Sequence, residues 1–208
     1  MARGTEAVID VPALARNLHK VRDWAGDARV IAVVKADAYG HGLERCFPAL
    51  GQADLLAVAT LDEARAIRVL DPRIPVLLLE GVLTGDELAV VEELGLEIVV
   101  HSPEQLEWIE RSGRTLAPRV WLKIDSGMHR LGFALDQARD AHRRLSSLPG
   151  VHEVVLMTHL ACADEPAHPM TARQIEAFDA AVEDLSGPRC IANSAALLTR
   201  RDARRDWV

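Results

Sequence analysis

Lys35 stands directly after Val30-Ile31-Ala32-Val33-Val34, and an amine abutting five aliphatic residues is costly to bury as an ammonium. Burial favours its free base, the nucleophile that condenses with a carbonyl to give an imine. Position alone leaves a second role open, that of a rim lysine whose stem lies on apolar surface while its head reaches water. A polar residue at the end of an apolar run recurs four more times: His101 after Ile98-Val99-Val100, Lys123 and Asp125 flanking Ile124, His159 after a run ending at Met157, and Asn193-Ser194 after Cys190-Ile191-Ala192. Arg130 lies in a stretch bounded by Gly127 and Gly132, where a guanidinium suits a planar carboxylate, although a loop arginine also serves as a surface ion-pair partner. A lone histidine is usually structural. Ser194, between a strand and a short helix, stands where a helix N-terminus attracts phosphate.

For these residues to meet, the runs that carry them must lie side by side. Val30 to Val34, Leu55 to Val58, Val76 to Leu79, Glu97 to Val100, Val120 to Ile124, Val154 to Met157 and Cys190 to Ala192 read as buried parallel strands. Between them apolar residues fall at helical spacing, as in Leu88, Val91 and Leu94, or Leu106 and Ile109 with the flanking Trp108. Thr60, Thr84 and Ser102 are expected caps. An opening helix from about Pro12 carries the stripe Leu14, Leu18 and Val21. The first five strands recur at roughly 22 residues, the size of one strand, one helix and two short loops.

The fold class is therefore α/β, and either a (β/α)8 TIM-type barrel or a doubly wound sheet satisfies the pattern. No G-x-G-x-x-G follows the first strand, so the barrel is preferred. It is expected to be incomplete, with about seven strands, because a full barrel needs eight strands and about 250 residues. Residues 1–11 read as an N-terminal extension, with Glu6 to Asp10 as a strand outside the barrel, and residues 12–208 as the barrel domain. The expected result is an open seam between the first strand and the Cys190 strand, whose unpaired edges would invite association.

Composition narrows the function classes. With 24 basic and 31 acidic residues the chain carries a formal charge of -7 and no long run of either sign, which argues against a nucleic-acid surface. Cys46, Cys162 and Cys190 form no C-x-x-C pair and no even framework, as expected of a reducing cytoplasm. No apolar run has the length of a signal or a membrane span. The eight histidines show no H-E-x-x-H spacing, so no metal site is expected. Arg200, Arg201, Arg204 and Arg205 read as a solvated loop.

Four segments carry a resemblance. Val34-Lys35-Ala36-Asp37-Ala38-Tyr39-Gly40-His41-Gly42 resembles the cofactor-lysine segment of alanine racemases, fold type III pyridoxal-phosphate enzymes. The resemblance implies that Lys35 holds pyridoxal 5'-phosphate as an imine and that Tyr39 hydrogen-bonds its phosphate. Leu122-Lys123-Ile124-Asp125-Ser126-Gly127-Met128-His129-Arg130-Leu131-Gly132 resembles the segment presenting an arginine near the substrate carboxylate and the cofactor ring. It implies that role for Arg130, with Lys123 at a position carbamylated in many members. Met157-Thr158-His159-Leu160-Ala161 looks like the strand-end histidine segment, implying that His159 lies against the ring face, and Asn193-Ser194-Ala195-Ala196 like the phosphate-binding segment that includes the Ser194 hydroxyl. The blocks stand in the family's order over nearly the whole chain.

This resemblance implies an enzyme interconverting L- and D-alanine through two bases on opposite faces, a homodimer when intact, supplying D-alanine for peptidoglycan. In that family a last barrel strand, opening with an arginine that faces the pyridine nitrogen, and a C-terminal β domain with a catalytic tyrosine follow the segment matching Ala192 to Val208. The chain stops where that arginine is due, so it is expected to bind cofactor weakly and to racemise little. Two other readings share the barrel: a non-catalytic pyridoxal-phosphate carrier, favoured by length, and a decarboxylase. The segments around Lys35 and Arg130 are like those of racemases and unlike those of the carriers.

Overall fold

A parallel strand buried on both faces has no polar side, which is why the strand segments read as continuous apolar runs. In the computed structural model, which describes residues 4, 6–117 and 119–208, seven such runs pair side by side in chain order. They are β1 (Ile31–Val33), β2 (Leu55–Val58), β3 (Val76–Leu78), β4 (Glu97–Val100), β5 (Arg119–Lys123), β6 (Glu153–Met157) and β7 (Arg189–Cys190), every neighbouring pair parallel. The connecting helical segments are α1 (Val11–Ala25), α2 (Lys35–Gly40), α3 (Leu43–Leu50), α4 (Leu61–Leu70), α5 (Leu88–Leu94), α6 (Pro103–Ser112), α7 (Ala138–Ser146), α8 (Met170–Ala181) and α9 (Ser194–Thr199). Thr60 and Ser102 cap α4 and α6 through their hydroxyls, whereas Thr84 precedes a 3-10 turn and makes no cap bond.

The strands have two distinct apolar faces. Leu56, Val58, Leu78, Ile98, Val100, Val120, Leu122, Val154 and Leu156 join the helices in an outer core. Their alternates, Leu55, Ala57, Leu77, Val99, Trp121, Val155 and Cys190, cluster with Trp207 as a separate inner core, the filled interior of a barrel. Complete enclosure pushes the Cys190 thiol up to about 12 and leaves it chemically quiet.

Two expectations are corrected. Glu6 to Asp10 make no strand pairing among the described residues; the helix begins at Val11, with the Ala13 amide donating to Asp10 Oδ1 at 2.9 Å. Met1 to Arg3 and Thr5, also part of the proposed extension, lie outside the described residues. Nor is the seam open along its whole length. Trp207 bridges in parallel both to Arg29, just before β1, and to Cys190 of β7. The Arg29 amide donates to Asp206 O at 2.9 Å, Ile31 N to Val208 O at 2.8 Å, and Trp207 N to Arg189 O at 3.1 Å. The last residues are apolar and aromatic enough to occupy the eighth place, and they close the barrel at its base.

The base is polar and paired. Arg119 opposite Glu153 in the register donates to Glu153 Oε2 at 2.6 Å and to Glu97 Oε1 at 2.9 Å, while Trp121 Nε1 donates to Glu97 Oε2 at 2.6 Å. Burial pushes the Glu97 carboxyl above its ordinary range despite the Trp121 and Arg119 hydrogen bonds. Trp121 thus fills the interior and satisfies a buried carboxylate. We expect Trp121→Ala to lower the unfolding free energy by about 3–5 kcal/mol. Trp121→Phe, which keeps a ring but withdraws the N–H, should cost about 1–3 kcal/mol. Urea titration of both variants checks this; a larger loss for Phe than for Ala would contradict the assignment.

Candidate active site

The inner face that holds Trp121 and Val155 continues upward to polar residues. Val100 lies opposite Leu122 and Lys123 opposite Met157, so one further step along the pleat sets His101 beside Lys123, and two steps beyond Met157 comes His159. The groups converge electrostatically. Burial first, then Arg130 and Lys35, push the Lys123 ammonium below its usual range against the pull of Asp125 and Glu80. Lys123 is only 8% exposed. Its amine makes no hydrogen bond or ion pair among the described residues. Burial, followed by Lys123, Arg130 and Lys35, brings His159 down to about 4, so its imidazole is neutral at neutral pH. The mouth therefore gathers three basic side chains around an uncharged ring, an arrangement that an anionic, partly flat guest would stabilise.

Lys35 is half-buried and opens α2, whose backbone has the wrong hand for a helix of L-residues. Ala36, Asp37, Ala38 and Tyr39 have φ between 53° and 55°. Such a conformation costs roughly 1–2 kcal/mol per residue and persists only where surroundings enforce it. The enforcing contacts are visible. Glu63 of α4 accepts from Ala36 N at 2.7 Å and Ala59 N at 2.8 Å, and Asp37 Oδ1 accepts from Leu43 N at 2.6 Å. Gly40 and Gly42, at φ 77° and 89°, let the chain leave the turn. Tyr39 is left 60% exposed at the rim.

Arg130 is carried by a loop that closes on itself. Phe133 N donates to Lys123 O and Asp125 N to Phe133 O, both at 2.9 Å. Asp125 Oδ1 accepts from Gly127 N at 2.9 Å and His129 N at 3.0 Å, and its Oδ2 meets His129 Nδ1 at 3.0 Å. Burial resists charge on Asp125, but the His129 and Gly127 amides and the His129 ring outweigh it and hold the carboxyl below its usual range. Gly132 is required by contact: a Cβ there would sit 2.6 Å from Asp125 N. The arginine itself is exposed and free to reach a ligand.

Two supporting residues escaped the sequence reading. Gln174, fully buried on α8, donates to His159 O at 3.0 Å and accepts from Ala161 N at 2.8 Å, fixing the segment after β6. Its signal was a polar residue on the stripe Thr171, Ile175 and Phe178 that α8 buries. Gln105 binds His101 N through Oε1 at 2.9 Å and donates to Val82 O at 2.9 Å. His101 Nε2 lies 3.0 Å from Glu80 O and 3.1 Å from Gln105 Nε2, so the same glutamine also meets the ring.

Asn193 is engaged within the protein. Its Oδ1 accepts from Ala196 N at 3.0 Å as the cap of α9, and its Nδ2 donates to Leu160 O at 3.3 Å, so both ends of the amide are engaged by protein. Ser194, next along, is exposed. In the arginine-rich loop, Arg200 pairs with Asp202, Arg205 with Asp179, and Arg204 with Leu197 O. Among the described residues no three His, Cys, Asp or Glu side chains are grouped to hold a metal, and no helix is long and apolar enough to cross a membrane.

Comparison with known proteins agrees with this geometry. Residues 9–208 match the family model described as alanine racemase, N-terminal domain. The alanine racemase of Thioalkalivibrio sulfidiphilus is 46% identical over 211 residues, covering 100% of this chain and 58% of that protein. That of Acidovorax sp. is 47% identical, with 57% of its length covered. The chain thus spans under two thirds of the length of these relatives. The crystal structure of the biosynthetic alanine racemase from Pseudomonas aeruginosa superposes with a TM-score of 0.91 at 44% identity, covering 96% of this chain and 56% of that one. Alanine racemase from Bartonella henselae with covalently bound pyridoxal phosphate gives 0.85 at 24% identity over 96% of this chain and 60% of that one, a likeness of fold.

The depressed His159 value has a measurable consequence. Unfolded, the ring takes up a proton near 6.5; folded, not until about 4. Below the higher value the unfolded state binds more protons, so this group withdraws stability as the pH falls from about 6.5 to about 4 and withdraws none above that window. We expect the His159 Cε1 proton to titrate with a midpoint near 4 by NMR, and the acid limb of the stability profile to flatten in His159→Gln. A midpoint near 6.5 would show that the ring is not enclosed among these cations.

Proposed function

Because the chain belongs to the alanine racemase family, matched as its N-terminal domain, we propose that it is the barrel of an enzyme that interconverts L- and D-alanine with pyridoxal 5'-phosphate. The observation that carries this is the convergence of Lys35, Lys123 and Arg130 on a neutral His159. The donor set fits the cofactor: an amine for its aldehyde, an uncharged imidazole for its ring, and hydroxyls for its phosphate on Tyr39 and on Ser194 at the first turn of α9. Asn193, occupied by its cap bond, presents Ser194.

When bound, the cofactor accepts electron density from the substrate Cα and so acidifies its α-proton. The chain's own residues do the rest. Lys35 Nζ would hold the cofactor and, when free, accept that proton or return it. Arg130 holds the substrate carboxylate by paired N–H donors. His159, neutral at neutral pH, would face the bound cofactor without adding charge. Lys123, buried and displaced toward its free base, is open to carbamylation by CO2, which would replace a cation beside Arg130 by an anion that orients it.

The intact protein is proposed to be a cytoplasmic homodimer supplying D-alanine for peptidoglycan, its second acid–base group coming from outside the described residues. The relatives' naming as racemases disfavours a pyridoxal-phosphate carrier. A cofactor–lysine band, trapped by borohydride, should form in the 208-residue chain and vanish in Lys35→Ala. D-Alanine formation by the same chain should be lower by at least about 10²-fold than that of a homologous full-length racemase, since general acid–base groups typically contribute 10²–10⁴-fold. A band unchanged in Lys35→Ala removes that residue from its role; full racemisation would show that one base suffices.

A further inference from the structure

We propose that Trp207 is a positioning residue for the candidate site: by joining β7 to β1 at the barrel base, it sets the separation of Lys35 and Ser194 at the mouth. The inference rests on the cofactor assignment above. Lys35 follows β1 and Ser194 follows β7, the two ends of the strand order, and these strands pair with β2 and β6 but not with one another. Among the described residues the backbone link between them is the segment of residues 206–208, whose hydrogen bonds run to Arg29 and Ile31 on one side and Arg189 on the other. Outside the barrel α1 also lies against α9, a helix–helix approach that does not fix strand register.

The indole is held by its faces. The Arg29 guanidinium lies 4.2 Å and that of Arg119 4.9 Å from its centroid, and Trp121 meets it edge-on at 5.2 Å. Its Nε1 has no hydrogen-bond partner among the described residues, so no polar bond of the ring accounts for its place. Arg119 is fixed by Glu97 and Glu153, whereas Arg29 has no carboxylate partner among the described residues, and the ring is the contact that engages it. From Arg29 to Lys35 the strand path is about 20 Å, so Trp207 touches no ligand. A ligand gripped at one end by Lys35 and at the other by Ser194 spans the seam. Slack at the base lowers the effective concentration of the second grip once the first is made.

The test measures dissociation constants of pyridoxal phosphate and of pyridoxal, which lacks the phosphate, from the lysine band, with borohydride trapping to locate the bond. The chain carries Trp207, Trp207→Leu, Trp207→Phe or Arg29→Gln, each followed by thermal melting. We expect the original chain to prefer the phosphate form, and Trp207→Leu to reduce that preference by about tenfold or more while its pyridoxal affinity is kept. Trp207→Phe, which retains an aromatic face, should restore most of the preference. Should Trp207→Leu fail to fold, Arg29→Gln carries the test with a smaller loss in the same direction. An unchanged preference in the folded variants, or equal weakening of both ligands, overturns the inference and leaves the cofactor assignment standing. No Lys35-dependent band in the original chain would overturn both.

Discussion

Room inside the barrel is the constraint on which the rest depends. The interior accepts every second residue of each strand, and its middle is taken up by two indoles and a few aliphatic chains. One pleat therefore carries three different jobs along a single strand. On β5 the inward column runs from Arg119 through Trp121 to Lys123; on β4 it runs from Glu97 through Val99 to His101; on β6 from Glu153 through Val155 and Met157 toward His159. The register that seats Arg119 between two carboxylates at the base is the register that seats Lys123 between two imidazole columns at the mouth. A slip of one residue would exchange inner and outer faces and ruin both ends together.

At the mouth positive charge is crowded, and the loops that bear it are fixed by carboxylates bonded to backbone amides. Asp125 folds the loop of Arg130 around its own carboxylate, and Glu63 ties the turn after Lys35 to the start of α4. Neither carboxylate neutralises the cations outright. The site retains its attraction for an anionic ligand because its loop-ordering carboxylates are spent on backbone amides.

Much of this was legible in the residues. The strand runs, the barrel and the positions of Lys35, Lys123 and His159 at strand ends follow from period and sequence order, since a parallel strand cannot hide its length or its exit. The family-like segments single out Arg130, Tyr39 and Ser194 as candidates, which composition alone would have left as surface groups. Closure by residues 206–208 was not legible, because Trp207 and Val208 are too short a run to register as a strand and take their places only through partners far away in sequence. The cap role of Asn193 was not legible either, because an amide that caps a helix and one that binds a ligand look alike until partners are seen. Gln174 and Gln105 were missed for a related reason: their value lies in backbone atoms they hold, and backbone atoms carry no sequence signature.

The left-handed turn from Ala36 to Tyr39 also bears on the order in which the chain folds. Four residues at roughly 1–2 kcal/mol each add up to a cost comparable with the 5–15 kcal/mol net stability of an ordinary domain. Local interactions cannot nucleate such a segment, and its main tether, Glu63, arrives only after β2 and α4 have assembled. The turn is thus expected to form late, on the native side of the rate-limiting barrier, so that substitutions in it speed unfolding more than they slow folding. On this order the barrel comes first, and the setting of Lys35 is completed last.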